Sequence, residues 1–445
     1  MLAASCGVLF GFSISSMNQI IDEIRHKWLL TDLHQGVVVS ALVVGALTGC
    51  LVTGALTQRL GRRSALVVSG LVATASAGIC SVAPNELTLV GGRFLIGMSV
   101  GVTSAVAPVL LAELAAARLR GFMITSYQLA ITVGVLIALS LGAALPDSGQ
   151  WRLVVAVNAV PAVFQAVSAF LLPRTPADLL AGGQEEEARR VLRSTRGREE
   201  ALAEYARLVR VRGLPDDGVL RSLSDPDRRL ATAIALGAAL MNALVGIGAV
   251  VYYSTLVFST AGLGGTNGAE IASLSIGVMN FAASVIALGL IRRYGRRVLL
   301  SVGLTGMALS LCLAGGSLLG AGGAVTGPVT VGAILIYTAC FAFSAGPVAW
   351  VLLAEVLPQQ SSVRVAAAAL GLNWGANLVV ALLFPIVVKT PGIPARVGLV
   401  FVFFAVLSLL FLFLVRRFVP ETKDRDLSEI QRALRSGPRS RTKHV

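Results

Sequence analysis

Histidine is nearly missing from this 445-residue chain, which holds only His26, His34 and His444. Three such scattered residues assemble neither a catalytic triad nor a histidine metal site. The five cysteines, Cys6, Cys50, Cys80, Cys312 and Cys340, all fall in apolar runs and form no CxxC pair. That excludes a disulfide framework and a cysteine zinc site, and leaves them as small packing residues. Charged residues make up only 13% of the chain, and none of the 23 acidic ones lies deep in an apolar run. No glycine loop suited to cradling phosphate is present either. An enzyme, a bound cofactor and a metal are therefore not expected. The one enzyme-like string, "GMSVG" at 97–101, fits G-x-S-x-G, but that device needs a strand, a sharp turn and a helix. Here it sits inside an apolar run, where small residues let helices approach closely.

What the chain has is grease: 55% hydrophobic residues and a mean hydropathy of +0.80. Twelve apolar stretches, each long enough to cross a hydrocarbon layer of about 30 Å, lie near 2–21, 36–57, 64–83, 88–112, 121–144, 153–172, 231–258, 270–290, 298–320, 328–354, 366–388 and 397–415. Lipid offers backbone groups no partners, so these read as helices, and the short alternating segments of a barrel are absent. The first stretch has no basic leader and runs into Asp22 and Glu23, so it reads as a retained helix, with a short cytoplasmic segment expected ahead of it.

The net charge of +14 does not mark a nucleic-acid binder, because of where the charge sits. Short loops after even-numbered spans carry ten basic residues (Arg59, Arg62, Arg63, Arg118, Arg120, Arg292, Arg293, Arg296, Arg297 and Arg364), against five after odd-numbered ones (Arg25, Lys27, Arg152, Lys389 and Arg396). The long 173–229 connection and the tail add more to the even side. The positive-inside rule then places both termini and the long connection in the cytoplasm of a plasma or inner membrane protein. Arg93 is the one basic residue well inside a span.

The pentapeptide "RLGRR" at 59–63 returns as "RYGRR" at 293–297, 234 residues on, and "LLAE" ending at Glu113 returns ending at Glu355, 242 residues on. Two motifs in the same order at nearly one offset imply a six-helix unit used twice. Repeats of this sort build transporters whose halves rock about a midplane site. The domains expected are a six-helix bundle at 1–172, a linker with short helices at 173–229, a second bundle at 230–418 and a tail at 419–445. The linker's arginines suit anionic lipid, and no further domain fits there. Arg62, Arg63, Arg296 and Arg297 are positioned to latch one face, with Glu113–Arg120 and Glu355–Arg364 as the expected pairs. The plainer alternative is that these arginines only fix topology.

"GRFLIGMSVGV", "PVLLAELAAARLRG", "SYQLAITVG", "GAVVYYS", "GVMNFAAS", "GPVAWVLLAEVLP", "NWGAN" and "PETKDRDLSEI" follow one another in an order that resembles the sugar porter family of the major facilitator superfamily across nearly the whole chain. The resemblance implies an all-α fold of twelve transmembrane helices in two six-helix pseudo-repeats. It also implies a substrate cavity lined by Gln128, Asn280, Trp350, Asn373 and Asn377, with Trp374 packed nearby and Tyr252 and Tyr253 as outer-gate residues. The chemistry agrees, since amides both donate and accept as sugar hydroxyls do, and an indole offers an N–H and a flat face. The bland reading is that these amides merely bond helix to helix, for about 0.6 kcal/mol each.

Several positions depart from the family pattern. Where it has Gln-Gln in the seventh span, this chain has Asn242, a shorter amide, and Ala243; an Asn near the gate tyrosines is Gly248 here. The loop motif's acid is replaced by Gln58 and Arg292, so the latch should be looser or differently wired. "PRTPADLL" resembles the family's P-E-S-P-R-W-L, with Arg174, Ala177 and Asp178 departing. In "GFSISS", Ser13 stands where proton-coupled relatives commonly carry an acid, so a proton site is lost. Arg93 stays protonated and cannot replace it; it is either a structural anchor or a cavity residue. The expectation is a monomeric, lipid-embedded carrier that moves a monosaccharide or polyol down its gradient. Proton symport, efflux of a small apolar or glycosylated product, and a sugar-binding sensor are the alternatives.

Overall fold

The computed structural model describes residues 1–114, 117–144, 150–195, 197–211, 218–252, 257–258, 268–320, 326–357, 362–388, 393–423 and 429–430. Among them the chain is helical, without strands. In chain order the first half comprises α1 (Leu2–Trp28), α2 (Asp32–Ser81), α3 (Glu86–Leu114), α4 (Ala117–Ala144), α5 (Trp151–Ala156) and α6 (Ala159–Leu171). The linker holds α7 (Pro176–Ala181), α8 (Glu185–Thr195), α9 (Arg198–Val211) and α10 (Val219–Ser224). The second half comprises α11 (Arg229–Leu244), α12 (Ile247–Tyr252), α13 (Gly268–Arg293), α14 (Arg296–Leu319), α15 (Thr326–Phe343), α16 (Ala345–Val356), α17 (Ser362–Val388) and α18 (Ile393–Phe418).

Ten of the described helices are long and apolar enough to cross a membrane, with Leu2–Met17 as a shorter apolar one. The longest of the ten, Leu33–Ser81, is two spans, because α2 reverses at Gly61 (φ 78°, ψ 162°), a backbone region that favours glycine. Counted this way the spans number twelve. Asn85 and Thr31 cap the helices that follow them through side-chain bonds to Thr88 N (3.0 Å) and His34 N (3.4 Å).

The halves repeat one packing plan. The span after Gly61 packs on α6 as α14 packs on α18, and the halves meet where α2 contacts α17 and α4 contacts α13. Small residues permit the tight seams: a Cβ at Gly97 or Gly101 would fall 2.1 Å from the carbonyl oxygens of Leu42 and Ala46. So the G-x-S-x-G string is a helix-packing surface. Phe164, Phe170, Leu309, Phe403 and Phe413 are among the large apolar side chains exposed on the outside, as a lipid-facing surface requires. In the linker, α8 presents Ala188, Val191 and Leu192 inward beside Leu179 and Leu180, and this small core rests on Leu114 at the end of α3.

Among the described residues three spans are interrupted. The sixth breaks at Asn158 between α5 and α6, the seventh at Val245 and Gly246 (φ 99°) between α11 and α12, and the tenth at Ser344 between α15 and α16. Breaks free backbone groups, and these need partners in lipid. Tyr337 Oη donates to the Val245 carbonyl at 3.0 Å and Asn242 Nδ2 to the Ala345 carbonyl at 3.3 Å, which ties the seventh and tenth spans together at both interruptions.

Candidate functional site

Between the halves lies a cavity of about 110 Å³. Gln128, Asn242, Asn280, Trp350, Asn373 and Asn377 all line it, with Trp374, so the residues named from the sequence as substrate-binding converge on one space. The lining also includes Phe10, Gly11, Ile14, Ile131, Thr132, Val135, Ile247, Gly248, Val251 and Phe341. Apart from Gly248, noted above as a departure from the family pattern, sequence reasoning missed these; apolar residues inside apolar helices carry no signal saying which of them face a cavity, and a helix threonine that bonds its own backbone carries little more.

The polar groups are largely bonded to one another. Trp350 Nε1 donates to Gln128 Oε1 at 2.9 Å, a buried bond that joins the second half to the first. Asn373 Nδ2 donates to the Ala239 carbonyl (2.7 Å) and to Asn242 Oδ1 (3.3 Å). Asn377 Nδ2 donates to the Asn373 carbonyl (3.0 Å) and Oδ1 (3.2 Å). Asn280 differs: its Oδ1 is buried with no hydrogen-bond partner, an expensive arrangement that an incoming hydroxyl can relieve. Gln128, Asn242, Asn373 and Trp350 thus line the cavity and bond helix to helix at once.

Beneath these amides sits an aromatic floor drawn from both halves. Phe10 contacts Trp374 (centroids 5.3 Å apart) and Trp350 (6.4 Å, edge to face), and Tyr127 meets Trp350 at 5.8 Å, again edge to face. Tyr253 lies outside the described residues, and of Tyr252 only the helical backbone is described, so the outer gate is not assigned.

Ser13 is buried and its Oγ donates to Asn158 Oδ1 at 2.8 Å, at the break in the sixth span. Arg93 is an anchor and not a cavity residue: its Nε donates to the Val38 carbonyl at 2.8 Å, and it is not among the lining side chains.

At the arginine-rich face both motif copies are bonded, and in the second half the partners correct the expected Glu355–Arg364 pair. Glu113 Oε1 pairs with Arg62 Nη2 (3.1 Å), while the Arg120 side chain lies outside what is described. Glu355 gives Oε1 to Arg296 Nη2 (2.9 Å) and Oε2 to Thr422 Oγ1 (2.7 Å) instead of meeting Arg364. The reason is geometric, since the arginines at the start of the third and ninth spans stand beside the helix ends that carry the glutamates.

Two acids unforeseen in this role complete the network. Asp178 accepts from Arg62 N (3.1 Å) and Nη1 (2.9 Å), and Glu421 accepts from Arg296 N (2.8 Å) and Arg297 N (3.2 Å). Each caps the helix that follows the motif glycine, where the backbone N–H groups and the dipole favour an anion. These acids take up the motif's arginines where Gln58 and Arg292 stand in place of the family's acid, so the bonding at each motif is rewired. Their signal was available: each follows the last span of its half.

The guanidinium groups of Arg63 and Arg297 instead bond the carbonyls of Phe170 and Arg416. Arg364 crosses the seam to Gln58, whose amide oxygen, turned toward it, accepts from Nε at 3.2 Å. Arg296 crosses too, since a Cβ at Gly121 would lie 3.0 Å from its Nη2.

Twelve spans in two like halves around one amide-lined cavity define a multi-pass membrane transporter of the major facilitator fold. The family model described as "Sugar (and other) transporter" matches residues 1–434, and the chain belongs to that family. It is 32% identical over 430 residues to the probable metabolite transport protein CsbC of Bacillus subtilis (strain 168), covering 96% of this chain and 92% of that one. It is 31% identical over 442 residues to the galactose-proton symporter of Escherichia coli (strain K12), covering 99% and 94%. Among solved structures, the proton:xylose symporter XylE bound to 6-bromo-6-deoxy-D-glucose superposes with a TM-score of 0.85 at 25% identity, covering 97% of this chain and 98% of that one. The protein is a membrane transporter of that family and not an enzyme.

Proposed function

We propose that the protein carries a monosaccharide or polyol across the plasma or inner membrane by alternating access, with both termini cytoplasmic. In this reading the halves at 1–172 and 230–418 rock about the cavity, the 173–229 linker and 419–445 tail lie on the cytoplasmic side, and the chain works as a monomer in lipid. The observation that carries it is the ring of neutral amides around Trp350, with Asn280 Oδ1 buried and unpaired. Such groups exchange hydrogen bonds with hydroxyls at no cost in charge. The names of the relatives, which include galactose and xylose symporters, point to the same substrate class.

We further favour facilitated diffusion. A symporter needs a titratable group in its pathway, and no carboxylate lines the cavity among the described residues. The position expected to hold one is Ser13, already engaged with Asn158. The second reading, proton symport, is favoured by the relatives named as symporters, and it requires a proton carrier away from this cavity. A pH-sensitive dye outside proteoliposomes separates the two. Uniport gives sugar uptake with no external pH change on sugar addition; sugar-induced alkalinisation would overturn it in favour of symport.

A further inference from the structure

The cavity is chemically layered along the membrane normal. Its aromatic floor and the amides above it, Asn280 among them, lie toward the arginine-rich face and at mid-height. By the helix rise of 1.5 Å per residue, Val135 stands about 10 Å beyond Gln128, toward the face opposite the arginines. Ile247, Gly248, Val251 and Phe341 also lie on that side of the breaks in the seventh and tenth spans. None of the five has a polar side chain. Among the described residues the hydroxyl nearby is Thr132 Oγ1, which donates back to the Leu129 carbonyl at 2.8 Å and so can accept from a guest but not donate to it.

A guest seated on the amides therefore meets an apolar collar at its other end. A hydroxyl placed there finds no side-chain donor among the described residues, whereas a methyl group is buried favourably. Gly248, with no side chain, leaves room for that group.

We propose that the preferred substrate is a sugar whose recognised hydroxyls lie at one end and whose other end carries a methyl group, a 6-deoxyhexose before the parent hexose. This rests on the sugar-transport reading of the same cavity. Hydrophobic pockets discriminate weakly against an added hydroxyl, so the effect is roughly tenfold and not absolute.

The test is initial uptake by proteoliposomes of two labelled matched pairs, D-galactose with 6-deoxy-D-galactose and D-glucose with 6-deoxy-D-glucose, with a pentose and inositol alongside. The expected result is a kcat/KM about tenfold higher for the deoxy member of whichever pair is carried. Parity, or preference for the hydroxylated member, overturns this inference and leaves sugar transport standing. If only the pentose or inositol crosses, the inference also falls; if no sugar or polyol crosses, the transport reading falls with it. Gly248→Asn should bring the ratio near parity by placing an amide in the collar. Val135→Gln does the same from the facing half should the first variant not fold. A ratio unmoved in a folded variant overturns the collar's role.

Discussion

Trp350 and Gln128 make the bond on which the closed floor most depends, because it is buried and joins the two halves at 2.9 Å. Trp350→Phe keeps an aromatic ring beside Phe10 and Tyr127 but removes the N–H, which leaves Gln128 Oε1 without this donor. An orphaned buried acceptor costs about 1–3 kcal/mol, and opening the floor to water relieves it. The variant should therefore spend more time open toward the arginine-rich face. Cys50 reports on that opening, since it is buried at the seam and its Cβ lies 3.8 Å from where a Gly371 Cβ would stand. With the other four cysteines replaced, alkylation of Cys50 should be several-fold faster in Trp350→Phe than in its parent. An equal rate would show that the indole bond does not hold the floor shut. The amides and the indole were legible in the sequence because a polar group inside a membrane span is rare enough to demand a reason. The apolar lining was not, since Ile247 and Val251 differ from lipid-facing residues only in where the helix turns them.

At the scale of elements, the fold was legible because span length, glycine turns and a doubled arginine motif are local properties of the chain. Partner choice was not. Asp178 sits 116 positions from Arg62, and only the packing of the linker beneath the bundle brings them together. The two halves solve one problem in parallel: a helix that begins at a motif glycine is capped by a carboxylate from the segment following that half's last span. Removing either charge while keeping the shape should weaken the start of its helix by about 1–2 kcal/mol. Asp178→Asn and Glu421→Gln are thus expected to lower the thermal midpoint in detergent by similar amounts, a few degrees each. Their effects should add in the double variant, because the sites lie in different halves and share no partner. If Asp178→Asn alone lowered the midpoint, the parallel between the halves would be one of shape and not of energy.

The whole molecule moves only if the contacts across its seam can break. The ion pairs Arg62–Glu113 and Arg296–Glu355 each lie within a half, so they brace the halves as rigid bodies and do not by themselves hold them together. Across the seam at this face run the guanidinium of Arg364 against the Gln58 amide and the approach of Arg296 to Gly121. An amide at position 58 holds Arg364 less strongly than a carboxylate there would, so this tie across the face is a weak one. Gln58→Glu supplies the missing charge. An exposed pair of this sort is worth up to about 1 kcal/mol, which corresponds to roughly a fivefold shift toward the closed state. Exchange of labelled for unlabelled sugar should slow by two- to fivefold, Cys50 alkylation should slow in step, and high salt should restore both by screening the pair. Gln58→Leu, which removes the contact and adds no charge, should leave exchange as fast as the parent or faster. Slowing by both variants alike would mean that the side chain at 58 acts through packing, and that the seam is not tuned by charge.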